Sequence, residues 1–346
     1  MNLNLFKNYF STLLFICLAG WLYFNLNFYT DYVGQTKTIN FADVSFAVEN
    51  VFYAVAGLYV VFLVPFYLKY HEPSKARHVI RYMKKVFVGR NDFSERERVS
   101  VLAWVVKLFF VPLMLTWLTG HIFSLINNYH WLFTSFWELD SGFVIFFDNN
   151  IFWTAFSTIL FADVLFFTIG YLIESPGLKN TIKSVEPTFI GWAVTILCYP
   201  PLNSIVSWNI GWFSTDFPKF ENPFIHLSMN LAILVLMGIY AWASVALNFK
   251  ASNLTNRWII AKWPYAYVRH PAYICKNMAW WIGALPMAYV AITSDQVAIG
   301  SVLLATLGWS LLYYLRAMTE ENHLSLDPDY LAYKKQVKWR FIPKVW

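Results

Sequence analysis

Eight residues near the end of the chain have the types and order to do chemistry together. They are Tyr265, Arg269, His270, Pro271 and Tyr273, then Arg316, Glu320 and Glu321. The first group precedes one apolar stretch and the second ends the next. Pro264 and Pro271 interrupt helix, so 265–270 reads as an ordered connection, and Pro271 suits the first turn of the helix that follows. Free N–H groups and the positive dipole end of that turn can hold a carboxylate, including that of an amino-acid-like ligand. Tyr265, Tyr267 and Tyr273 offer ring faces and hydroxyls for an adenine or a cation; tyrosines at this depth also form the aromatic belt of a membrane interface. Arg316 and Glu320 stand four apart and share a helix face. Carboxylates near a helix C-terminus oppose the macrodipole. The acidic pair therefore reads either as a site for an ammonium or sulfonium, or as half of an Arg316–Glu320 salt bridge at the interface.

The elements that must position these groups are membrane helices. With 58% hydrophobic and 13% charged residues, the chain lies outside the soluble range. Its apolar residues fall in eight blocks long enough to span a bilayer, roughly 9–29, 47–68, 99–126, 151–173, 188–208, 223–248, 272–293 and 297–317. The expected fold is all-α, a polytopic bundle of about eight transmembrane helices. The first block is too long for a signal-peptide core and is expected to be retained. Lys and Arg cluster in alternate connections, 69–98, 174–186, 249–272 and the tail after 317, whereas the others hold only Lys37 and Lys219. The positive-inside rule then places both termini and the 265–273 cluster in the cytoplasm. It also accounts for the net charge of +6 without a nucleic-acid partner. Cys17, Cys198 and Cys275 lie far apart in apolar blocks, which gives neither a disulfide framework nor a metal knuckle.

Within this frame some positions stand out. The run KARHVIRYMKKVF in 69–98 reads as an amphipathic helix on the leaflet, with Val79, Ile80, Met83 and Phe87 inward, or equally as a solvated basic loop. Pro200 and Pro201 break the fifth block, marking either a cavity near Tyr199 and Asn203 or a kink at a helix end. Lys107, Asp163 and Asp148 are ionisable groups at membrane depth, and Lys107 is expected to pair with Asp163. Lys276 and Asn277 lie one turn inside the seventh block, to read a substrate head group or, for Lys276, to snorkel to the interface.

The ordered set RHPAY, Arg-x-x-x-Glu-Glu, DYLAYKKQV and a final FIP resembles the isoprenylcysteine carboxyl methyltransferase family of integral-membrane methyltransferases. The resemblance covers about residues 250–346 and divides the chain into 1–248, helices that shape a lipid cavity, and 249–346, a cofactor-binding region. It implies an enzyme that transfers a methyl group from S-adenosylmethionine to a lipid or lipid-linked acceptor, at the cytoplasmic face of a bacterial inner membrane or the endoplasmic reticulum. Cofactor contacts carry over to Arg257, Trp258, Ile259, Ile260, Tyr265, His270, Pro271, Ala272, Tyr273 and Glu320. Substrate contacts carry over to Arg316, with Lys276 and Asn277 beside it. The catalytic candidates are Arg316, to orient the acceptor, and Glu321 or His270, to take a proton where the acceptor has one. No metal is implied. The chain departs from the family pattern at Arg257, where His is usual, and at Trp263 and Cys275, where Gly is usual. Two rivals stand beside this expectation: a membrane sterol-reductase-like NADPH enzyme, which shares an RHP-x-Tyr run, and a non-catalytic transporter or binding protein.

Overall fold

The computed structural model describes residues 3–135, 142–294 and 297–345. The chain forms an all-α polytopic bundle. Its helices are α1 (Leu3–Asn25), α2 (Asn27–Val33), α3 (Val48–Lys69), α4 (Lys75–Phe87), α5 (Glu95–Thr134), α6 (Phe143–Phe146), α7 (Phe152–Leu172), α8 (Phe189–Ile196), α9 (Asn203–Ile210), α10 (Pro223–Leu247), α11 (Pro271–Thr293), α12 (Ile299–Leu324) and α13 (Pro328–Gln336). A π-helical turn, Phe147–Ile151, joins α6 to α7. Only two short antiparallel pairs interrupt this among the described residues: β1 (Thr36–Ile39) with β2 (Val44–Ala47), and β3 (Ser184–Val185) with β4 (Thr255–Asn256).

Among the described residues six helices are long and apolar enough to cross a membrane: α1, α3, α5, the continuous Phe143–Leu172 stretch, α10 with its extension to Lys250, and α12. The other two of the eight expected spans differ. α11 runs unbroken for 23 residues, but Lys276 and Asn277 leave it less apolar. The fifth block is two helices of eight residues each, α8 and α9, parted at the cis Pro200–Pro201 bond. Two prolines withdraw two backbone donors, so no single helix runs through. Tyr199 and Asn203 flank the break: Asn203 opens α9, and Tyr199 turns into the protein.

The helices pack in sequence order as a row. α1 lies on α3 and α4, these on α5, α5 on α7, α7 on α10, α10 on α11, and α11 on α12, which closes against α8 and α9. The α5–α7 seam is the main core, with Val106, Phe110, Leu113, Met114, Val164 and Tyr171. A second apolar cluster, Phe152, Phe156, Ile233, Met237 and Ala279, joins α7, α10 and α11. Burial of such side chains contributes roughly 1.5–3 kcal/mol each in a water-exposed frame; between helices in lipid, close packing takes over that role.

All the basic connections gather at one end of the bundle. There the Asn8 amide donates to the Glu72 carbonyl at 2.9 Å and its oxygen accepts from the Ser74 N–H at 3.0 Å. Lys75 meets Glu174, and Lys183 meets Asp327 at 3.1 Å. The opposite end carries the β1–β2 hairpin, the His226–Asp148 pair at 2.8 Å and the Trp309 indole on the Gly211 carbonyl at 3.1 Å. α4 keeps its amphipathic form, capped by Ser74, with Val79 buried while Met83 and Phe87 face outward. The expected Lys107–Asp163 pair does not form. Lys107 reaches Glu174 at 3.3 Å, and Asp163 accepts from the Tyr240 hydroxyl at 2.7 Å and from Ser244. Glu174 lies just past the apolar run of α7, within reach of a long side chain, whereas neutral donors on α10 satisfy Asp163 in place.

Candidate functional site

Gly170 begins the positioning of the site. A Cβ there would lie 2.0 Å from the Ala251 carbonyl oxygen, so only glycine lets the 251–254 segment cross α7 this closely. The crossing sets Asn253 over the end of α7, where its N–H donates to the Tyr171 hydroxyl at 2.7 Å. β3 and β4 then hold the segment from the other side, with the Glu186 N–H on the Leu254 carbonyl at 2.8 Å.

Arg316 points into this structure from α12. Its Nη2 donates to Asn253 Oδ1 at 2.5 Å and to the Tyr199 hydroxyl at 3.4 Å, while Asn253 Nδ2 donates to the same hydroxyl at 2.9 Å. Three rings surround the guanidinium, with its Cζ 5.0 Å from the Tyr273 centroid, 5.4 Å from Tyr199 and 5.6 Å from Tyr313. The side chain is buried, and none of the described carboxylates pairs with it. The expected Arg316–Glu320 bridge is absent. Glu320 instead accepts from the Tyr273 hydroxyl at 2.6 Å. A buried charge needs compensation, and here it is polar and aromatic rather than ionic.

Arg316, Glu320 and Tyr273 line one cleft together with Glu186, Thr195, Ser252, Asn253, Thr255, Thr319 and His323. Glu186 is fixed by the Thr188 N–H at 2.9 Å, and His323 Nε2 lies 2.9 Å from Ser184 Oγ. Free space in the cleft is about 30 Å³, room for about a water or two. A larger cavity of about 280 Å³ at the other end is bordered by Asn128, Trp131, Asn149 and Asn150, with no titratable group among the described residues of its lining.

Glu321 faces away from this cleft. Arg269 Nε at 2.8 Å, His270 Nε2 at 3.1 Å, Arg340 Nε and Nη2 at 3.1 Å and Lys334 Nζ at 3.3 Å all converge on its carboxylate. The Arg269 and His270 N–H groups donate to the Trp339 and Arg340 carbonyls, each at 3.0 Å, and Arg269 Nη1 donates to the Val337 and Lys338 carbonyls at 2.8 and 2.7 Å. The RHP run and the tail are thus sewn to the end of α12 through one buried carboxylate. Glu321 holds structure together here, and every lone pair that a proton would need is already engaged. His270 shares that engagement and stacks on Tyr273, with centroids 5.3 Å apart.

The other expected site residues divide. Tyr265 is covered by the tail, its carbonyl accepting from the Tyr333 hydroxyl at 2.8 Å; burial, with Glu320 nearby, pushes its phenol well up. Pro271 is buried at the start of α11, with Ala272 beside it. Ile259 packs on Tyr330, Tyr333 and Val337, Ile260 is half-buried, and Trp258 is exposed under the Lys183 ammonium at 4.1 Å. Arg257 turns the other way, donating to the Asn180 carbonyl at 3.1 Å. Lys276 does not snorkel: its Nζ lies 5.2 Å from the rings of Tyr240 and Trp280 and 5.8 Å from Tyr313, so Tyr313 separates two cations. Asn277 donates to the Tyr273 carbonyl at 2.8 Å, and its buried Oδ1 has no hydrogen-bond partner among the described residues. Asn253, Glu186 and Arg340 are contributions that the motif spacing does not reveal, because each acts across a long sequence separation; Tyr313, one turn before Arg316 on α12, could have been read from helical spacing. The Asn253–Arg316 bond spans 63 residues.

No family model, curated protein or solved structure matches this chain.

Proposed function

We propose that the chain is an integral-membrane methyltransferase using S-adenosylmethionine, with an anionic group of a lipid or lipid-linked molecule as acceptor. The observation that carries this is the buried, carboxylate-free Arg316 guanidinium in its tyrosine cage, one ring away from the Tyr273–Glu320 pair. The positive side of the cleft suits an anion, and the side bearing Glu320, Glu186 and ring faces suits a sulfonium or ammonium. The alternate clustering of basic connections supports a cytoplasmic position for this end.

The donor set fits such a cofactor in chemistry. Glu320 and the Tyr273 ring would face its charged centre, and the first turn of α11 offers N–H groups to a carboxylate. Bound S-adenosylmethionine supplies a methyl group on a positive sulfur, which an electron-rich atom displaces in line. Arg316, fixed by Asn253 and Tyr199, would hold a carboxylate acceptor in that line, and alignment of this kind is the main requirement of the reaction. A carboxylate is already ionised at pH 7 and needs no general base. That agrees with His270 and Glu321 being engaged with each other. With about 30 Å³ free, the occupied cleft needs the 252–255 segment to move away from α12.

Calorimetric titration of the detergent-purified protein with S-adenosylhomocysteine, beside Glu320→Ala, tests the cofactor. Saturable binding weakened in the variant is expected. Binding of a nicotinamide cofactor with none of S-adenosylhomocysteine would overturn the proposal in favour of a reductase. Transfer of labelled methyl from S-adenosylmethionine into a lipid extract, lost in Arg316→Gln, tests the acceptor side.

A further inference from the structure

At the same end of the bundle, two lysines converge on one carboxylate, Glu174, and Arg257 stands on the same loop. Lys75 and Lys107 each take one oxygen of Glu174, and the Ile182 N–H donates to it at 2.8 Å. Arg257 closes the group through the same 173–182 loop, with Nη1 on the Asn180 carbonyl at 3.1 Å and Nε on Thr255 Oγ1 at 3.4 Å. Its buried Nη2 has no hydrogen-bond partner among the described residues, and the residue is only 2% exposed. Three positive charges thus face one negative charge. An orphaned guanidinium nitrogen is costly in a protein interior. Lys75 and Lys107 are 28% and 18% exposed, so the group is reached from the surface on that side.

From this geometry we propose that Lys75, Lys107 and Arg257 form a binding site for a phosphate-type oxyanion, which completes the hydrogen bonding of Arg257 and balances the excess charge. Arginine forks and lysine point charges are the usual partners of such groups. The ionisation of the cluster agrees: burial, opposed in part by Glu174 and reinforced by Lys107 and Arg257, pushes Lys75 down to about 8. An added anion would restore its full charge. The position beside the end of α7 is one that a phospholipid headgroup or a free phosphate reaches. The proposal is independent of the methyltransferase assignment, because none of Lys75, Lys107 and Arg257 lines the cleft; only Thr255, which Arg257 touches, borders both.

The test is thermal unfolding of the full chain in nanodiscs, in three conditions: phosphatidylcholine alone, phosphatidylcholine with graded phosphatidylglycerol, and phosphatidylcholine with inorganic phosphate. Lys107→Gln, Lys75→Gln and Arg257→Gln are compared with Arg81→Gln/Lys84→Gln, two exposed cations of α4 outside the cluster. A saturable upward shift in midpoint is expected. Its apparent dissociation constant should rise about tenfold or more in the cluster variants and stay unchanged in the α4 control. A shift with phosphatidylglycerol alone identifies a lipid headgroup, and a shift with inorganic phosphate identifies a free anion. No shift in either condition, or one that the α4 control removes and the lysine variants keep, overturns the proposal. Should Arg257→Gln fail to fold, the two lysine variants decide. Loss of S-adenosylhomocysteine binding in Arg257→Gln with the anion shift intact would also overturn it, assigning this arginine to the cofactor.

Discussion

Replacing Glu321 by glutamine should release the C-terminal tail while leaving the transmembrane bundle folded. Glu321 is 2% exposed and accepts from Arg269, His270, Arg340 and Lys334. Adding the bonds one by one would overstate the loss, since Lys334 and Arg340 are 38% and 20% exposed and regain water. Arg269, with its side chain 5% exposed, cannot, although its Nη1 keeps the Val337 and Lys338 carbonyls. Removing one partner of a buried pair costs about 3–5 kcal/mol, and retained carbonyl contacts point to the lower figure, about 3 kcal/mol. At 1.4 kcal/mol per factor of ten, local opening becomes roughly a hundred times more frequent. Hydrogen exchange by mass spectrometry reads this directly. Peptides containing the Arg269 and His270 amides should exchange about a hundredfold faster, while those from α5 and α7 keep their protection. Unchanged exchange at 269–270 in Glu321→Gln would refute the hub. Loss of methyl transfer with an intact tail would return Glu321 to a chemical role.

Three further outcomes follow from the same geometry. Asn253→Ala removes the 2.5 Å bond to Arg316; S-adenosylhomocysteine affinity should hold while the acceptor KM rises about tenfold, and a fall in cofactor affinity alone would contradict the placement. Burial alone would raise Glu174, but Lys107, Lys75 and Arg257 pull it down to about 2. Its folded value thus lies below its unfolded one, so its stabilisation of a few kcal/mol is present above about pH 4.5 and fades toward pH 2. The fall in unfolding midpoint between pH 6 and pH 3 should therefore be smaller in Glu174→Gln, and equal falls would sink the assignment. Gly170→Ala meets the Ala251 carbonyl and should cost about 1–3 kcal/mol. Gly57→Ala, with nothing within 4 Å, should be neutral or slightly stabilising, and equal midpoints for the two would refute the close crossing.

The membrane helices were legible because about 20 apolar residues in a row have few other uses. The limit appeared at Pro200–Pro201, where length and hydropathy alone cannot tell one span from two short helices. The site end was legible as a neighbourhood: the RHP run and the end of α12 do meet. Their pairing was not. Spacing favours Arg316 with Glu320, yet i,i+4 pairs are worth only about 0.2–0.5 kcal/mol. In a buried site that is outweighed by fixed partners such as Asn253 and the Tyr273 hydroxyl. Lys107 shows the same effect, choosing Glu174 just beyond the apolar run over Asp163 within one. Glu320 and Glu321 look alike in sequence, and only the third dimension separates one on the cleft from one beneath the tail.

The narrowness of the cleft has a kinetic consequence. On the proposed function, a ligand larger than a few waters enters as the 252–255 segment lifts, and that segment is held by its crossing at Gly170, the Tyr171 hydroxyl and the β3–β4 pair. Opening is then a property of the protein, with its own rate. At high ligand concentration the observed binding rate should level off at that rate instead of climbing linearly. Methyl transfer, on the proposed function, could not outrun it.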